Sequence, residues 1–318
     1  MYQHGEGVQE SKSQALTLYQ RASDAGNVTA RCNLAAMYEI GEGVPVDYSR
    51  AMREYERAAA LNHASAMNHL GWMYESSEGV PADYQQALSW YHKAADRGYA
   101  DGIFNLAHMY QMGKGVKVDY KLAMTYYHQA VKVGSARAMN NIGWLYRNGL
   151  GVTQNDSLAM AWYGRSADEG DEVGMFNVGW MYYHGCGVPL DYPAAVTWYQ
   201  KAAEAKNAAA ESNLGWMYQK GLGVRRDNKK AIDWYTQAAA DGNTSAMDNL
   251  VWMYQHGDGL KKDGSMAVEW YTKAAKKGKR SAMENLAAMY EQGDGVPKDR
   301  SKAGEWREKA KHVSEAEE

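Results

Sequence analysis

Residues 66–98 read AMNHLGWMYESSEGVPADYQQALSWYHKAADRG, and this stretch contains two helical patterns separated by a turn. The apolar residues of the first pattern recur along one helical face, namely Ala66, Leu70, Met73 and Tyr74. A Gly-Val-Pro sequence at 79–81 interrupts the periodicity, because glycine and proline both break helices. The second pattern also follows one helical face, with Ala87, Trp90, Tyr91 and Ala94. The stretch therefore predicts a helical hairpin.

The hairpin pattern recurs nine times along the chain, always 36 residues apart. Its marker is a Met-Tyr or Leu-Tyr pair, which starts at Met1, Met37, Met73, Met109, Leu145, Met181, Met217, Met253 and Met289. A Gly-x-Gly-Val loop or a close variant follows each pair. A lone hairpin leaves apolar surface exposed, so neighbouring copies have to stack on one another. We therefore predict an all-α fold, a right-handed superhelical solenoid of antiparallel helix pairs in 36-residue repeats.

Capping residues mark the start of each predicted second helix. Ser11 and Asn155 stand there in two copies, and the other seven have Asp47, Asp83, Asp119, Asp191, Asp227, Asp263 and Asp299. Such side chains accept hydrogen bonds from the first backbone N–H groups and stabilise a helix by ~1 kcal/mol. A glycine after the first helix can close its last carbonyl groups in the left-handed conformation. Both signals predict helix boundaries at the same place in every copy.

The consensus A-x-x-N-L-G-x-M-Y-x-x-G-x-G-V-x-x-D-x-x-x-A-x-x-W-Y-x-K-A-A-x-x-G resembles the Sel1-like repeat family, a relative of the tetratricopeptide repeats. This resemblance covers essentially the whole chain. It implies one solenoid domain over residues 1–312, with about eight full repeats and a partial N-terminal one. Residues 313–318 form an acidic tail outside the pattern. The family resemblance also implies a role as an adaptor or scaffold for protein assembly.

The composition excludes several classes of partner. The 35 Lys and Arg residues nearly balance the 38 Asp and Glu residues, a formal net charge of −3, so we expect no nucleic-acid binding. No apolar stretch approaches the ~18 residues that a spanning helix needs, so we expect no membrane insertion. The first residues lack the basic and apolar regions of a signal peptide. We leave the compartment open: cytoplasmic by default, and extracytoplasmic if the chain is a fragment of an exported protein.

The chain lacks the sequence motifs of catalytic and metal sites. No Gly-Lys-Ser/Thr follows any of the Gly-x-Gly loops, no His-Glu-x-x-His is present, and no Gly-x-Ser-x-Gly or Ser-x-x-Lys supplies a nucleophile. Cys32 and Cys186 are more than four repeats apart, which in a stacked array exceeds the reach of a disulfide. We therefore predict a protein that is not an enzyme, with no cofactor and no metal site.

An asparagine column lies beside the core face of the first helices. It comprises Asn33, Asn105, Asn141, Asn177, Asn213, Asn249 and Asn285, with His69 in one copy. Asparagine is a mediocre helix former, at a cost of ~0.5 kcal/mol relative to alanine, so its recurrence indicates a task. One interpretation is a hydrogen bond to a neighbouring repeat. The other is a ladder of amides that binds the backbone of an extended peptide.

A tryptophan column lies on the same flank. It comprises Trp72, Trp144, Trp180, Trp216 and Trp252, with Ala36, His108 and Ala288 in other copies. The rings either fill gaps between adjacent first helices or form an aromatic strip on the floor of a concave groove. We predict that partner-binding residues lie where the column is unbroken, with His184 and Lys220 on its polar edge. The predicted site is Asn141, Trp144, Asn177, Trp180, Asn213, Trp216, Asn249, Trp252, His184 and Lys220.

The aromatic residues of the second helices are predicted to pack in the core. They are Trp90, Trp162, Trp198, Trp234, Trp270 and Trp306, together with Tyr91, Tyr163, Tyr199, Tyr235 and Tyr271.

The predicted function is a protein-interaction scaffold that binds an extended segment or a helix of a partner protein in its concave groove. One alternative is binding of carbohydrate or cell-envelope glycan by the same tryptophans. Another is an architectural spacer that self-associates through the incomplete N-terminal repeat, where Leu18 and Tyr19 lack a full partner helix.

Overall fold

The computed structural model describes residues 11–313, and all regular secondary structure in this range is α-helical. These residues form seventeen helices: α1 Lys12–Asp24, α2 Val28–Ile40, α3 Tyr48–Ala60, α4 Ala64–Ser76, α5 Tyr84–Ala95, α6 Ala100–Met112, α7 Tyr120–Lys132, α8 Ala136–Asn148, α9 Asp156–Asp168, α10 Glu172–His184, α11 Tyr192–Glu204, α12 Ala208–Lys220, α13 Asn228–Ala240, α14 Thr244–His256, α15 Gly264–Lys276, α16 Arg280–Gln292 and α17 Arg300–Lys311. The even-numbered helices are the predicted first helices of the repeats, and the odd-numbered ones are the second helices.

The chain divides into two compact units, residues 1–162 (unit 1) and residues 163–318 (unit 2). Helices α1–α8 belong to unit 1, α10–α17 belong to unit 2, and α9 spans the division. Within each unit, every helix packs against the helices that precede and follow it in the chain. This arrangement confirms the predicted all-α repeat fold. That residues 1–312 form a single domain stays a prediction.

The predicted capping residues begin and end the helices. The Asp47 carboxylate accepts a hydrogen bond from the Arg50 backbone N–H at 2.9 Å, and the equivalent aspartates of the later repeats do the same for their own helices. First helices end on a left-handed residue, as at Gly41 with a φ of 73°. In one copy this residue is Ser77, with a φ of 63°. Local hydrogen bonding thus explains the constant length of the hairpins.

A column of tyrosines on the second helices is the centre of the core. Its rings are essentially inaccessible to solvent, at Tyr55, Tyr91, Tyr127, Tyr163, Tyr199 and Tyr235. The Tyr91 ring packs so close to the facing helix that a Cβ atom on Gly71 would lie 2.6 Å from it. Most of the ring hydroxyls bond to a polar side chain one helix earlier, as when Tyr91 Oη donates to Glu75 Oε2 at 2.7 Å. Among the described residues, the methionine of each Met-Tyr pair is also buried, at Met37, Met73, Met109, Met181, Met217, Met253 and Met289.

The prediction that the second-helix tryptophans pack in the core is confirmed in part, because most of them pack against the core clusters without being enclosed. Five of them are only partly buried, namely Trp90, Trp162, Trp198, Trp234 and Trp306. The tyrosine next in sequence takes the enclosed place in most repeats. The order reverses near the C-terminus, where Trp270 is buried and Tyr271 is only partly buried. Val251 stands there in the column that holds glycine or alanine in the other described repeats, and its larger side chain is buried.

Two predictions about the ends concern residues that the structure does not describe. The partial first repeat includes residues 1–10, and all of the acidic tail except Val313 lies at 314–318. On α1, Ala15 is buried and Leu18 is exposed. Among the helices of residues 11–313, none combines the length and the hydrophobicity needed to cross a bilayer.

Candidate functional site

The tryptophan column of the first helices lies at the surface. The exposed fractions are 42% for Trp72, 37% for Trp144, 37% for Trp216 and 44% for Trp252, and Trp180 is partly buried. Core packing therefore encloses none of these indoles, although each belongs to a helix whose opposite flank is buried. A solvent-exposed indole is costly unless another molecule covers it, because its large apolar surface stays in contact with water.

Unit 2 contains a cleft of about 290 Å³ between these indoles. We call it the aromatic cleft, and its lining consists of Trp180, Tyr183, His184, Tyr199, Ser212, Asn213, Trp216, Ser245 and Asn249. The lining comes mainly from three successive first helices, α10, α12 and α14. It contains two indoles, hydroxyl groups and amides, and none of these side chains is a carboxylate.

Contacts among aromatic residues order the two sides of the cleft that α10 and α12 form. Trp216 Nε1 donates a hydrogen bond to Tyr183 Oη at 3.1 Å, which ties α12 to α10. On α10, the rings of Trp180 and His184 lie 4.0 Å apart, and the rings of Tyr183 and His184 lie 4.9 Å apart. Each of these contacts restricts the rotamers of the rings, so the cleft is formed before a ligand arrives.

A cationic side chain lies beside the α12 side of the cleft, which carries Trp216. The ammonium group of Lys220 lies 4.6 Å from the ring centroid of Trp216 and 5.9 Å from that of Trp252. The ring of Trp252 also stacks on His256, with centroids 4.5 Å apart. The negative faces of the indoles attract the ammonium group. Lys220 therefore places a positive charge between two exposed rings.

The asparagine column has a structural function in at least two repeats. Asn141 Nδ2 donates to the buried hydroxyl of Tyr127 at 2.8 Å. Asn213 forms the equivalent bond with Tyr199; burial raises the pKa of Tyr199, and this bond partly offsets the effect. These bonds support the interpretation that asparagine satisfies a buried tyrosine of the preceding helix. Asn213 and Asn249 also line the aromatic cleft, so their amide groups are accessible to a ligand there.

The structure gathers half of the predicted site into one place. Trp180, His184, Asn213, Trp216 and Asn249 line the aromatic cleft, and Lys220 and Trp252 adjoin it through ring contacts. Asn177 is partly buried on α10 and is not among the lining residues. Asn141 and Trp144 belong to α8 of unit 1. Their contribution to partner binding stays a prediction.

Tyr199 lines the cleft although it was predicted to pack in the core, and three further lining residues were missed by sequence reasoning. Tyr183 stands where other repeats have Glu39, Glu75, Gln111 or Gln219, and Ser212 stands where two repeats have Phe104 and Phe176. The exchange of a phenyl ring for a hydroxymethyl group removes volume at this point of the wall. Ser245 lies in a column of variable residues. Departures from the repeat consensus were the signal that could have identified the first two.

Unit 1 has a counterpart with different electrostatics. This charged cleft, of about 330 Å³, is lined by Glu39, Asn68, His69, Trp72, Asp101, Asn105 and Arg137. Its polar side chains contact one another: Arg137 Nη2 lies 2.6 Å from Asp101 Oδ1, and His69 Nδ1 lies 3.2 Å from Glu39 Oε2. The two clefts therefore occupy equivalent positions of the repeat, but unit 1 lines its cleft with acidic and basic side chains and unit 2 lines its cleft with aromatic and amide side chains.

Within residues 11–313, no group of three or more histidine, cysteine or acidic side chains is placed to hold a metal ion. Cys32 and Cys186 are free thiols, and burial raises the pKa of Cys32 to about 11. A thiol with so high a pKa is largely protonated at neutral pH and is a poor nucleophile.

Comparisons with known proteins agree with this geometry. The Sel1 repeat profile matches at 1–27, 28–63, 64–99, 100–135, 136–171, 173–207, 208–243, 244–279 and 280–311. The c5321 protein of uropathogenic Escherichia coli, described as a protective antigen displaying an SLR fold, is 32% identical, with a TM-score of 0.64 over 97% of this chain and 74% of that one. A Sel1 repeat protein from Oxalobacter formigenes is 30% identical, with a TM-score of 0.68 over 79% of this chain and 100% of that one.

Yeast Tom70 shares the fold alone, at 14% identity and a TM-score of 0.53 over 85% of this chain and 57% of that one. No curated protein matches the chain. Proteins built from Sel1 repeats generally serve as scaffolds for protein interactions. Since the nine matched segments follow the period of the helical hairpins and span nearly all 318 residues, the chain belongs to the Sel1 repeat family.

Proposed function

We propose that this protein is an interaction scaffold that binds an extended segment of a partner protein across the first helices of unit 2, with the aromatic cleft as the main contact. The observation that carries the proposal is the exposure of the indoles of Trp216 and Trp252 beside a formed cleft. Indoles in such places are typical hot spots, because they add large contact area at a small cost in side-chain entropy.

The polar groups of the cleft suit an extended backbone. Ser212, Ser245 and Asn249 offer hydroxyl and amide groups that both donate and accept hydrogen bonds. A segment lying across α10, α12 and α14 would place a side chain between Trp180 and Trp216 while its peptide groups bond to these residues. Binding of this kind depends on the side chains of the helices and requires no chemical step.

The test is loss of binding in the double variant Trp180→Ala/Trp216→Ala. A random dodecapeptide library is selected on the intact chain, and the affinities of recovered peptides are measured by fluorescence anisotropy. We expect the double variant to weaken binding by more than about 30-fold, since a single hot-spot residue already contributes ~2 kcal/mol or more. The helical circular dichroism signal should persist, because Trp216 is exposed and Trp180 is only partly buried, so neither ring belongs to the enclosed tyrosine core.

Trp72→Ala is the matched control, since Trp72 belongs to the same column and is exposed to 42% in unit 1. It should leave peptide affinity unchanged. Peptide binding that survives the double variant, or that decreases only in proportion to its stability, would contradict the proposal.

Glycan binding is a second candidate, favoured by the neutral hydroxyl and amide lining beside two indoles. Binding to a glycan array that the same double variant abolishes, without any peptide recovered from the library, would support it. Self-association through α1 is a third candidate, favoured by the 45% exposure of Leu18. A concentration-dependent mass in light scattering that Leu18→Glu removes would support that function.

A further inference from the structure

The charge at the aromatic cleft is unbalanced. None of its lining residues is acidic, and Lys220 has no carboxylate within salt-bridge distance among the residues that the structure describes. The ammonium group instead lies against the rings of Trp216 and Trp252.

The acidic side chains of the same first helices are bound elsewhere. On α12, Glu211 is fully buried and accepts a hydrogen bond from Gln237 at 2.6 Å. On α14, Asp248 is paired with Lys279. On α10, Glu172 begins the helix, about 18 Å along its axis from His184. No carboxylate of these three helices therefore neutralises the edge of the aromatic cleft.

The charged cleft of unit 1 gives the contrast. There the basic groups already have acidic partners, as with Arg137 and Asp101 at 2.6 Å. Nearby, Lys114 Nζ lies 2.8 Å from Glu75 Oε1. An anionic ligand would have to displace these internal partners. At the aromatic cleft, an anionic ligand would meet Lys220 without an ion pair to displace among the described residues.

We propose that the aromatic cleft selects an acidic extended segment, which places an apolar side chain between Trp180 and Trp216 and a carboxylate beside Lys220. This inference rests on the proposed function and names the chemical class of its partner. The partly apolar surroundings of Lys220 strengthen an ion pair formed there, because two indoles exclude water from one side of it. A basic segment is disfavoured at the same place by like charge.

The experiment uses the peptides recovered from the dodecapeptide library. We expect them to be enriched in Asp and Glu next to an aliphatic or aromatic residue. For the tightest peptide, exchange of its acidic residue for glutamine and the variant Lys220→Gln should each weaken binding roughly two- to fivefold, as for one exposed charge pair. The two changes together should weaken binding no further than one alone, and the effect should shrink at high salt. A further peptide carries lysine in place of the acidic residue. The variant Lys220→Glu should bind this lysine peptide more tightly than the acidic one.

Lys201→Gln is the matched control variant. Lys201 Nζ lies 4.0 Å from the Trp198 ring centroid, so this change removes the same kind of cation and ring contact in the same unit, but outside the cleft. It should leave affinity unchanged. Peptides without acidic enrichment, an unchanged affinity in Lys220→Gln, or an equal loss in Lys201→Gln would overturn the inference.

The two proposals fail in different ways. Peptides that require Trp180 and Trp216 but show no acidic preference contradict the charge selection alone and leave the scaffold function supported. Peptides whose affinity does not change in Trp180→Ala/Trp216→Ala contradict both.

Discussion

At the scale of single residues, glycine has a packing function in the first helices. Tyr235 packs directly on the backbone of α12 at Gly215, where an added Cβ atom would lie 2.6 Å from the ring. Gly71 and Gly179 have the same relation to Tyr91 and Tyr199. A helix interior normally disfavours glycine by ~1 kcal/mol, so ring packing outweighs helix propensity at these positions.

We expect Gly215→Ala to lower the free energy of unfolding by about 1–3 kcal/mol, because the extra methyl group overpacks a filled site. Denaturation with urea measures the change. Gly304→Ala is the control: Gly304 lies in α17 of the same unit, and a Cβ atom added to it would have no neighbouring atom within 4 Å. It should stabilise the protein by ~1 kcal/mol through helix propensity. An unchanged stability in Gly215→Ala would contradict the packing explanation.

Glu211 is a second residue that breaks the repeat pattern. Its column is apolar in six other described repeats, with Met67, Ile103, Met139, Met175, Met247 and Met283, and holds Arg31 in one. Glu211 is fully buried, and its Oε2 has no hydrogen-bond partner among the described residues. Burial raises the pKa of this carboxyl group above its ordinary value of 4.5, and the hydrogen bond from Gln237 partly opposes the shift.

The raised pKa makes stability dependent on pH. Below pH 4.5 the carboxyl group is protonated in the folded and unfolded states, and its ionisation carries no penalty. As the pH rises above that value, the unfolded chain ionises more readily than the folded one, so stability decreases. We therefore expect Glu211→Gln to raise the melting temperature more at pH 8 than at pH 5. Glu284→Gln, at an exposed glutamate, serves as the control and should show no such difference. An equal gain at both pH values would contradict the assigned cause.

At the scale of the helices, capping explains why the boundaries repeat. An aspartate begins most second helices, and a left-handed residue ends each first helix that precedes it. Ser77 is the exception to glycine at this position, with a φ of 63°. A side chain in the left-handed region costs roughly 1–2 kcal/mol, because Cβ approaches the following carbonyl oxygen.

Ser77→Gly should therefore stabilise the protein by about 1 kcal/mol, measured as the free energy of unfolding in urea. Ser77 Oγ also donates to the Val80 carbonyl at 3.2 Å, so Ser77→Ala separates the hydroxyl group from the backbone conformation. The alanine variant should be no more stable than the original protein. If glycine and alanine had the same effect, backbone strain would not be its cause.

The helices also determine how rings and cations meet. Trp180 and His184, Trp216 and Lys220, and Trp252 and His256 are all four residues apart, which brings each pair together on one helical face. In unit 1 the corresponding partners of Trp72 and Trp144 are Ser76 and Asn148. The polar edge predicted for the tryptophan column therefore carries lysine or histidine at these positions in unit 2, and serine or asparagine in unit 1.

At the scale of the whole molecule, contacts within each unit join neighbouring helices along the chain. Stability in such an array is close to a sum of repeat terms and interface terms between neighbours. A substitution in one repeat therefore acts mainly on that repeat and the adjoining ones. For this reason the surface variants proposed for the aromatic cleft can be compared with matched variants in other repeats.

The sequence by itself predicted the all-α repeat fold, the helix boundaries and the methionine core, because these depend on spacing within one hairpin. Covalent spacing places Asp47 at a helix start and Met73 on a buried face in any copy of the pattern. Which aromatic ring is enclosed could not be predicted from that spacing, since Tyr91 and Trp90 both follow the core face. Their burial depends on the backbone of a neighbouring helix, such as that at Gly71. In the same way, Lys114 and Lys220 both lie near the ends of first helices. Only tertiary contacts decide that Lys114 pairs with Glu75, whereas Lys220 lies against two indoles.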